Sequence, residues 1–283
     1  MFTFFPVTRS LVLSPVRVIR SIRCSVFTLL LLCPFTAMAQ ESVEADVQVD
    51  LTSKSLWRGQ TLGGPAVQPS AEVRWQGLYV AADASTGFDA ADRERIGLQI
   101  GYRAPFGLNV GFGSQWMSGI DEMDRYFHFD EHTTGHRFEA NLGYTCRYFS
   151  LQAYTILMGN DFNEFGDDRK FSTFVELAVP FRMAGIDWQA RAAVTPFESS
   201  SWREVMLYNG NYEKMLQYLY ADGFTCVEAA LRATKDFHVA GYSLPVYVEL
   251  NANPYTEKAA VMAGITLRPF QKRGKECSGQ CKH

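Results

Sequence analysis

The sequence predicts an all-β protein, a transmembrane antiparallel up-and-down β-barrel of about twelve strands. Three observations lead to this fold class. Apolar and polar residues alternate in segment after segment, beginning with VEADVQVDL at residues 43–51, so each segment has one apolar and one polar face. The segments run to about nine to eleven residues, the length that a tilted strand needs to cross a bilayer. Long polar connections alternate with short turns, as they do in outer-membrane barrels.

Residues 1–39 are predicted to be a secretory signal peptide that is not part of the fold. A region containing several arginines precedes the apolar run VFTLLLLCPF, and Ala37 and Ala39 then provide a small-x-small cleavage site before Gln40. The apolar run is shorter than the roughly 20 residues of a transmembrane helix. We therefore expect an outer-membrane β-barrel over residues 40–270 and a periplasmic tail over residues 271–283.

Twelve strands follow from the alternation in the barrel segment. Turns containing glycine or proline separate them, such as Gln76-Gly77 after the second strand. The first and last strands must pair with each other, since lipid cannot satisfy open backbone groups. The expected strands are residues 43–51, 67–76, 78–85, 96–102, 108–117, 138–144, 151–158, 171–181, 186–194, 227–233, 244–250 and 259–267.

Loop lengths and aromatic residues predict the orientation of this barrel. The long connections, among them residues 118–136 and 197–223, are expected outside the cell, and the short turns in the periplasm. Aromatic residues at strand ends on the apolar face predict the two interfacial girdles. These residues are Trp57, Trp75, Tyr102, Trp116, Phe138, Tyr144, Phe171, Phe181 and Trp188.

One stretch near the amino end resembles a known group of proteins. The segment SKSLWRGQTLGGPAVQPSAEV, followed by GLYVAADAS, is similar to the small bacterial outer-membrane proteins known as putative porins of the TorF type. The matching residues are Arg58 and Gly59 after an aromatic residue, Pro69, Gly77, Tyr79 and Ser85. The chain departs from the pattern at Ser55, Ala81 and Asp83, which replace an aromatic residue, a glycine and a tryptophan. The resemblance implies a barrel of porin-like type.

Charged residues on the polar faces form the candidate pore lining. If fully paired, they fill the lumen and block it; if partly paired, they leave a narrow acidic channel that favours cations. Arg58 is expected near the outer mouth, in an ion pair. The acids are Glu44, Asp46, Asp50, Glu72, Asp83, Glu139, Glu176, Asp187, Glu228 and Glu249, and the bases are Arg58, Arg74, Arg137, Arg191, Arg232 and Arg268.

These features predict a narrow porin-like channel for ions or small polar solutes in the bacterial outer membrane. The alternative is a non-conducting structural or adhesive barrel that acts through its extracellular loops, where residues 197–223 are rich in tyrosine. An enzyme is not expected, because that loop offers serines but no histidine as a base. Expected partners are membrane lipid, lipopolysaccharide, the outer-membrane assembly machinery and small polar solutes. A net charge of −3 gives no case for nucleic acid.

No metal or cofactor is expected. His128, His132 and His136 are spaced by four residues, which suits zinc on a helix, but the glycine and threonines among them disfavour a helix. In the tail, Phe270 is expected to close the last strand, and a local disulfide between Cys277 and Cys281 suits an oxidising periplasm. Cys146 and Cys226 are predicted at opposite ends of the barrel, so they are not expected to pair.

Overall fold

The computed structural model describes residues 43–118, 125–208, 211–239 and 242–269. The predicted signal peptide, Phe270 and the predicted tail with its two cysteines lie outside these residues. The regular structure of the described residues is entirely β-strand, and they contain no helix able to cross a membrane. The strands are β1 (Glu44–Thr52), β2 (Ser55–Trp57), β3 (Gln60–Gly63), β4 (Ala66–Trp75), β5 (Leu78–Gly87), β6 (Arg95–Arg103), β7 (Leu108–Met117), β8 (His136–Thr145), β9 (Ser150–Gly159), β10 (Thr173–Met183), β11 (Ile186–Thr195), β12 (Ser201–Tyr208), β13 (Asn211–Tyr218), β14 (Thr225–Val239), β15 (Tyr242–Asn253) and β16 (Lys258–Leu267).

Twelve of these strands form a closed antiparallel barrel, which confirms the predicted fold class. Each barrel strand pairs with its neighbours in sequence, in the order β1-β16-β15-β14-β11-β10-β9-β8-β7-β6-β5-β4, and β4 pairs with β1. The seam between β1 and β16 runs from Val49 opposite Leu267 to Thr52 opposite Gly264. The remaining four strands form two small hairpins, β2–β3 and β12–β13.

The outer surface of the wall is apolar, as the alternation predicts. Val80, Ile100 and Val261 are each more than half exposed, and similar exposed side chains recur on the outward face of the barrel strands. Polar and charged residues occupy the alternate, inward positions. A wall with large exposed apolar side chains outside and charges inside is suited to lipid and not to water. The chain is therefore a membrane-embedded barrel.

The two ends of the barrel differ. The "turn end" is the end with Glu44, Pro269 and the short connections, among them Gln76-Gly77 and Ala184-Gly185, where the backbone φ angles are positive. The "loop end" carries the long connections. Cys146 lies in a connection at the turn end and Cys226 at the loop end of β14, and both are free thiols. The predicted placement of these two cysteines at opposite ends of the barrel is confirmed.

The β2–β3 hairpin was not predicted, and its position corrects one assignment. Trp57 was expected in an interfacial girdle, but it lies in this hairpin and packs against buried residues inside the barrel. The tip of the hairpin is Arg58-Gly59, with φ angles of 47° and 74°, and Trp57 pairs with Gln60 across it. Positive φ at both central residues is typical of a tight two-residue hairpin turn. The hairpin is too short to show the long alternation of a wall strand.

Single cysteines can test which end faces outward. In a cysteine-free background, thiol-reactive probes that cannot cross the membrane should label Asp92→Cys and Glu164→Cys on intact cells, because both positions lie at the loop end. Arg147→Cys and Gly185→Cys lie at the turn end and should label only after the cells are broken. Equal labelling of all four variants on intact cells would contradict the expected orientation.

Candidate functional site

The β2–β3 hairpin folds into the lumen from the loop end. Its tip contacts β8 through Arg58 and Glu139, and the Gly59 carbonyl accepts a hydrogen bond from Asn253 Nδ2 of β15 at 3.3 Å. A Cβ on Gly59 would lie 2.1 Å from the carbonyl oxygen of Val227 in β14, so only glycine fits here. Since β8 lies four strands from β14 and five from β15 around the wall, the tip reaches across the lumen.

Arg58 holds this tip in place. Its Nη2 donates to Glu139 Oε1 at 2.7 Å, and its Nη1 donates to the Tyr220 hydroxyl at 2.7 Å. The guanidinium also lies 4.4 Å from the ring centroid of Tyr154 and 4.6 Å from that of Trp57, as in cation–π pairs. The side chains of Arg58 and Glu139 are only 9% and 7% exposed. The expected ion pair of Arg58 is therefore present, but as a buried pair across the lumen.

A second inserted segment completes the closure. Residues 219–221, which follow β13, are buried together with Phe174 of β10 and Val227 of β14. The Ser199 hydroxyl accepts hydrogen bonds from the backbone amides of Tyr220 and Ala221 at 2.9 and 3.1 Å. The side-chain amide of Gln60 donates to the Leu219 carbonyl, which joins this segment to the β2–β3 hairpin. An apolar cluster therefore lies within the lumen, where the sequence predicts only polar side chains.

A belt of buried charges lies on the inner face of β10, β11, β14 and β15. Arg191 Nη2 lies 2.7 Å from Glu249 Oε1 and 3.1 Å from Glu228 Oε1, and Arg232 Nε lies 2.6 Å from Glu249 Oε2. Glu176 Oε2 lies 3.7 Å from Arg191 Nε. The belt therefore contains three carboxylates and two guanidinium groups. Burial at this level requires such pairing, because an isolated charge in a low-dielectric site is costly.

Other inward charges pair outside this belt. Arg103 lies 3.1 Å from Glu72, with its guanidinium 4.8 Å from the ring centroid of Tyr79. Arg74 also pairs with Glu72, and Arg95 with Asp83. Arg95 and Arg103 are absent from the predicted lining, because the sequence places them in a loop and a turn. Each of them continues the alternation of β6 by one residue beyond the expected strand. The alternation alone could therefore have identified both as inward-facing.

The structure brings together part of the predicted pore lining. Glu72, Arg74, Asp83, Glu139, Glu176, Arg191, Glu228, Arg232 and Glu249 project inward from the wall and are paired, whereas Arg58 projects from the inserted hairpin. Arg137 faces inward and donates from Nε to the Asn160 carbonyl at 3.1 Å. Asp50 has a buried carboxylate oxygen with no hydrogen-bond partner. Glu44, Asp46, Asp187 and Arg268 lie exposed at the turn end.

The three predicted histidines have separate environments. The Nδ1 atom of His136 is 3.0 Å from the Ser114 hydroxyl, and its Nε2 atom is 2.6 Å from the Tyr126 carbonyl oxygen. His128 Nε2 lies 2.7 Å from the Thr133 hydroxyl, and the His132 ring stacks on Phe162. In the same loop, the backbone amide of His132 donates to Asp130 and lowers the pKa of that carboxyl. The described residues hold no group of three or more metal-ligating side chains.

No family model matches the chain, and no curated protein matches it significantly. Among solved structures, a chain from work on the mechanism behind the in-meso crystallization of membrane proteins aligns with a TM-score of 0.41 and 8% identity, covering 80% of this chain and 83% of that one. OmpF of Salmonella typhi, solved in complex with daunomycin, aligns with a TM-score of 0.32 and 10% identity, covering 80% and 97%. Likeness at this level assigns no activity to the chain.

Proposed function

We propose that this protein is a bacterial outer-membrane channel for ions or small polar solutes that the β2–β3 hairpin closes in the present conformation. The observation that carries this proposal is the origin of the closure, which comes from a loop hairpin and not from the wall alone. An inserted hairpin can leave the lumen without breaking any hydrogen bond between wall strands. The resemblance to TorF-type putative porins, based on the residues around Arg58, is consistent with the same proposal.

The contacts of the hairpin suit a closure that can reverse. The hairpin reaches the wall strands through the Ser55 hydroxyl to Ser85, through the Gly59 carbonyl to Asn253 and through Arg58 to Glu139, and the Arg58–Glu139 pair is charge-assisted. Below the closure the wall carries the mixed charges of the belt. With three carboxylates against two guanidinium groups, the belt has a net charge of −1, which favours cations in an open lumen.

A non-conducting barrel that acts through its loops is the second candidate. Burial of Arg58, Glu139 and Glu249 favours it, because side chains so little exposed to water do not line an open aqueous path. In either case lipid and lipopolysaccharide surround the wall, and the outer-membrane assembly machinery inserts it. Neither candidate includes a catalytic step, and the Ser199 hydroxyl is bonded to backbone groups.

Removal of the hairpin tests the channel. Thr52 of β1 lies opposite Ala66 of β4, so a two-residue Asn-Gly turn can replace residues 53–65 without changing the strand register. In planar bilayers the wild type should conduct rarely, whereas the variant should show frequent stepwise conductance. As a control, an Asn-Gly turn in place of residues 146–149 at the turn end keeps Thr145 opposite Ser150, and this variant should behave like the wild type.

Two outcomes would contradict the proposal. If the hairpin-free variant keeps the heat-dependent gel shift of a folded barrel and yet does not conduct, the hairpin is not the gate and the second candidate is favoured. If the wild type conducts steadily and removal of the hairpin changes nothing, the hairpin does not close the lumen.

A further inference from the structure

We propose that the loop end holds a binding site for a small oxyanion, a carboxylate- or phosphate-bearing solute, between Arg93 and Arg137. Ligand binding at this site does not depend on the conduction proposed above, because it needs no open lumen. Arg137 comes from β8 and Arg93 from the connection between β5 and β6. Both line one cavity of about 210 Å³.

The cavity lies on the inner side of the wall, above the closure. Gln60 of the inserted hairpin and Leu219 of the second inserted segment form part of its lining, and Trp202 of β12 forms another part. A neighbouring cavity of about 300 Å³ shares Arg93, Gln60 and Trp202 with it. A solute arriving from the loop end would therefore meet this site before the closure.

Arg93 and Arg137 differ from the other arginines inside the barrel, because neither pairs with a carboxylate in the described structure. Arg137 makes one hydrogen bond, from Nε to a carbonyl, and the carboxylate near it, Asp161, is already bonded to the hydroxyl and amide of Ser172. Within the described residues, Arg93 makes no ion pair through its guanidinium. By contrast, these arginines all pair with a carboxylate: Arg58, Arg74, Arg95, Arg103, Arg191 and Arg232.

Two guanidinium groups of like charge at one cavity are best stabilised by a shared anion. The planar fork of arginine matches the oxygen geometry of carboxylate and phosphate, and these charge-assisted hydrogen bonds are stronger than neutral ones. Such an anion would offset the repulsion between the two groups in a site that is partly shielded from water.

A buried hydroxyl gives independent support for a ligand. Ser200 lines this cavity, and its buried Oγ has no hydrogen-bond partner among the described residues. Its backbone is fixed, since the Ser200 amide donates to Ser172 Oγ at 2.7 Å. An unsatisfied buried hydroxyl costs free energy, and rotation of the Ser200 side chain toward the cavity would let an oxyanion held by Arg137 accept a hydrogen bond from it.

The size of the cavity limits the ligand. Sites for drug-sized ligands occupy roughly 300–1,000 Å³, so about 210 Å³ suits a small ion or one sugar-sized solute. The Trp202 ring at the edge gives an apolar surface against which the body of a sugar acid could pack. Inorganic phosphate and glucuronate therefore serve as probes, and glucose serves as the uncharged control.

Calorimetric titration of the full chain in detergent tests the site. We expect phosphate, glucuronate or both to bind and glucose not to bind, and the comparison of the two anions identifies the preferred oxyanion. Arg93→Gln and Arg137→Gln should each weaken binding by about 10-fold or more. The control Arg147→Gln, at an exposed position of the turn end, should leave binding unchanged.

Several results would overturn the proposal. They are the absence of binding by both anions, equal binding of glucose, or equal weakening by Arg147→Gln. If Arg137→Gln does not fold, the test rests on Arg93→Gln, since Arg93 is exposed and makes no ion pair in the described structure. Because these titrations need no bilayer, their failure is distinct from a failure of the conductance test.

Discussion

Replacing Arg58 with alanine is expected to open the lumen while the barrel wall stays folded. The substitution leaves the buried Glu139 carboxylate without its positive partner, and an unpaired buried charge costs about 3–5 kcal/mol. The closed conformation is destabilised by this amount. The open conformation is not, because departure of the hairpin exposes Glu139 to water. The open fraction should rise by about 100-fold or more, since about 1.4 kcal/mol corresponds to a factor of ten. Single-channel recording measures this fraction directly.

Companion variants separate the ion pair from simple loss of packing. Arg58→Lys keeps the charge but loses the fork that reaches both Glu139 and Tyr220, so its open fraction should lie between those of the wild type and Arg58→Ala. Glu139→Gln removes the unpaired charge, and in combination with Arg58→Ala it should restore part of the closure. A folded Arg58→Ala variant that conducts as rarely as the wild type would show that the ion pair does not hold the hairpin.

Replacing Arg191 with methionine should instead destabilise the wall. Arg191 is paired with Glu228 and Glu249, whose side chains are 4% and 1% exposed. Without it, three carboxylates share Arg232 alone, and we expect a loss of about 3–5 kcal/mol in the free energy of unfolding. Because all these residues lie on wall strands, no loop movement can relieve the repulsion. Urea titration of the folded band on gels measures the loss.

The turn end provides a matched control for this second prediction. Arg182 and Asp187 form a 3.5 Å pair whose side chains are 72% and 56% exposed, and exposed pairs contribute little. Arg182→Met should therefore change stability by less than about 1 kcal/mol. Adding Glu249→Gln to Arg191→Met should recover part of the loss. Equal stability of the Arg191→Met and Arg182→Met variants would mean that the belt does not support the wall.

The wall could be predicted from the sequence because lipid imposes one simple pattern. Outward residues must be apolar and strands must be long enough to cross, so the period of two is visible without knowledge of any partner. The expected strand at residues 108–117 coincides with β7. The strand expected from Phe171 begins two residues later, because Phe171 has a φ of 49°, which does not fit an extended strand.

The closure could not be predicted because it depends on contacts between distant residues. Arg58 and Glu139 are 81 positions apart, and Arg58 and Tyr220 are 162 apart. Nothing local distinguishes an inserted hairpin from an exposed one, and for that reason Trp57 was assigned to the lipid interface. The inward direction of Glu139, Arg191 and Glu249 follows from alternation, but which carboxylate meets which guanidinium depends on the stagger of neighbouring strands.

Among the described residues, the seam that closes the barrel has the fewest residue pairs of any joint between wall strands. β1 and β16 share four residue pairs, whereas β14 and β15 share eleven. If the wall assembles hairpin by hairpin, this seam forms in the final step. We expect the finished cylinder to separate first along this short seam under lateral strain, so that its resistance depends on the backbone around Val49 and Leu267.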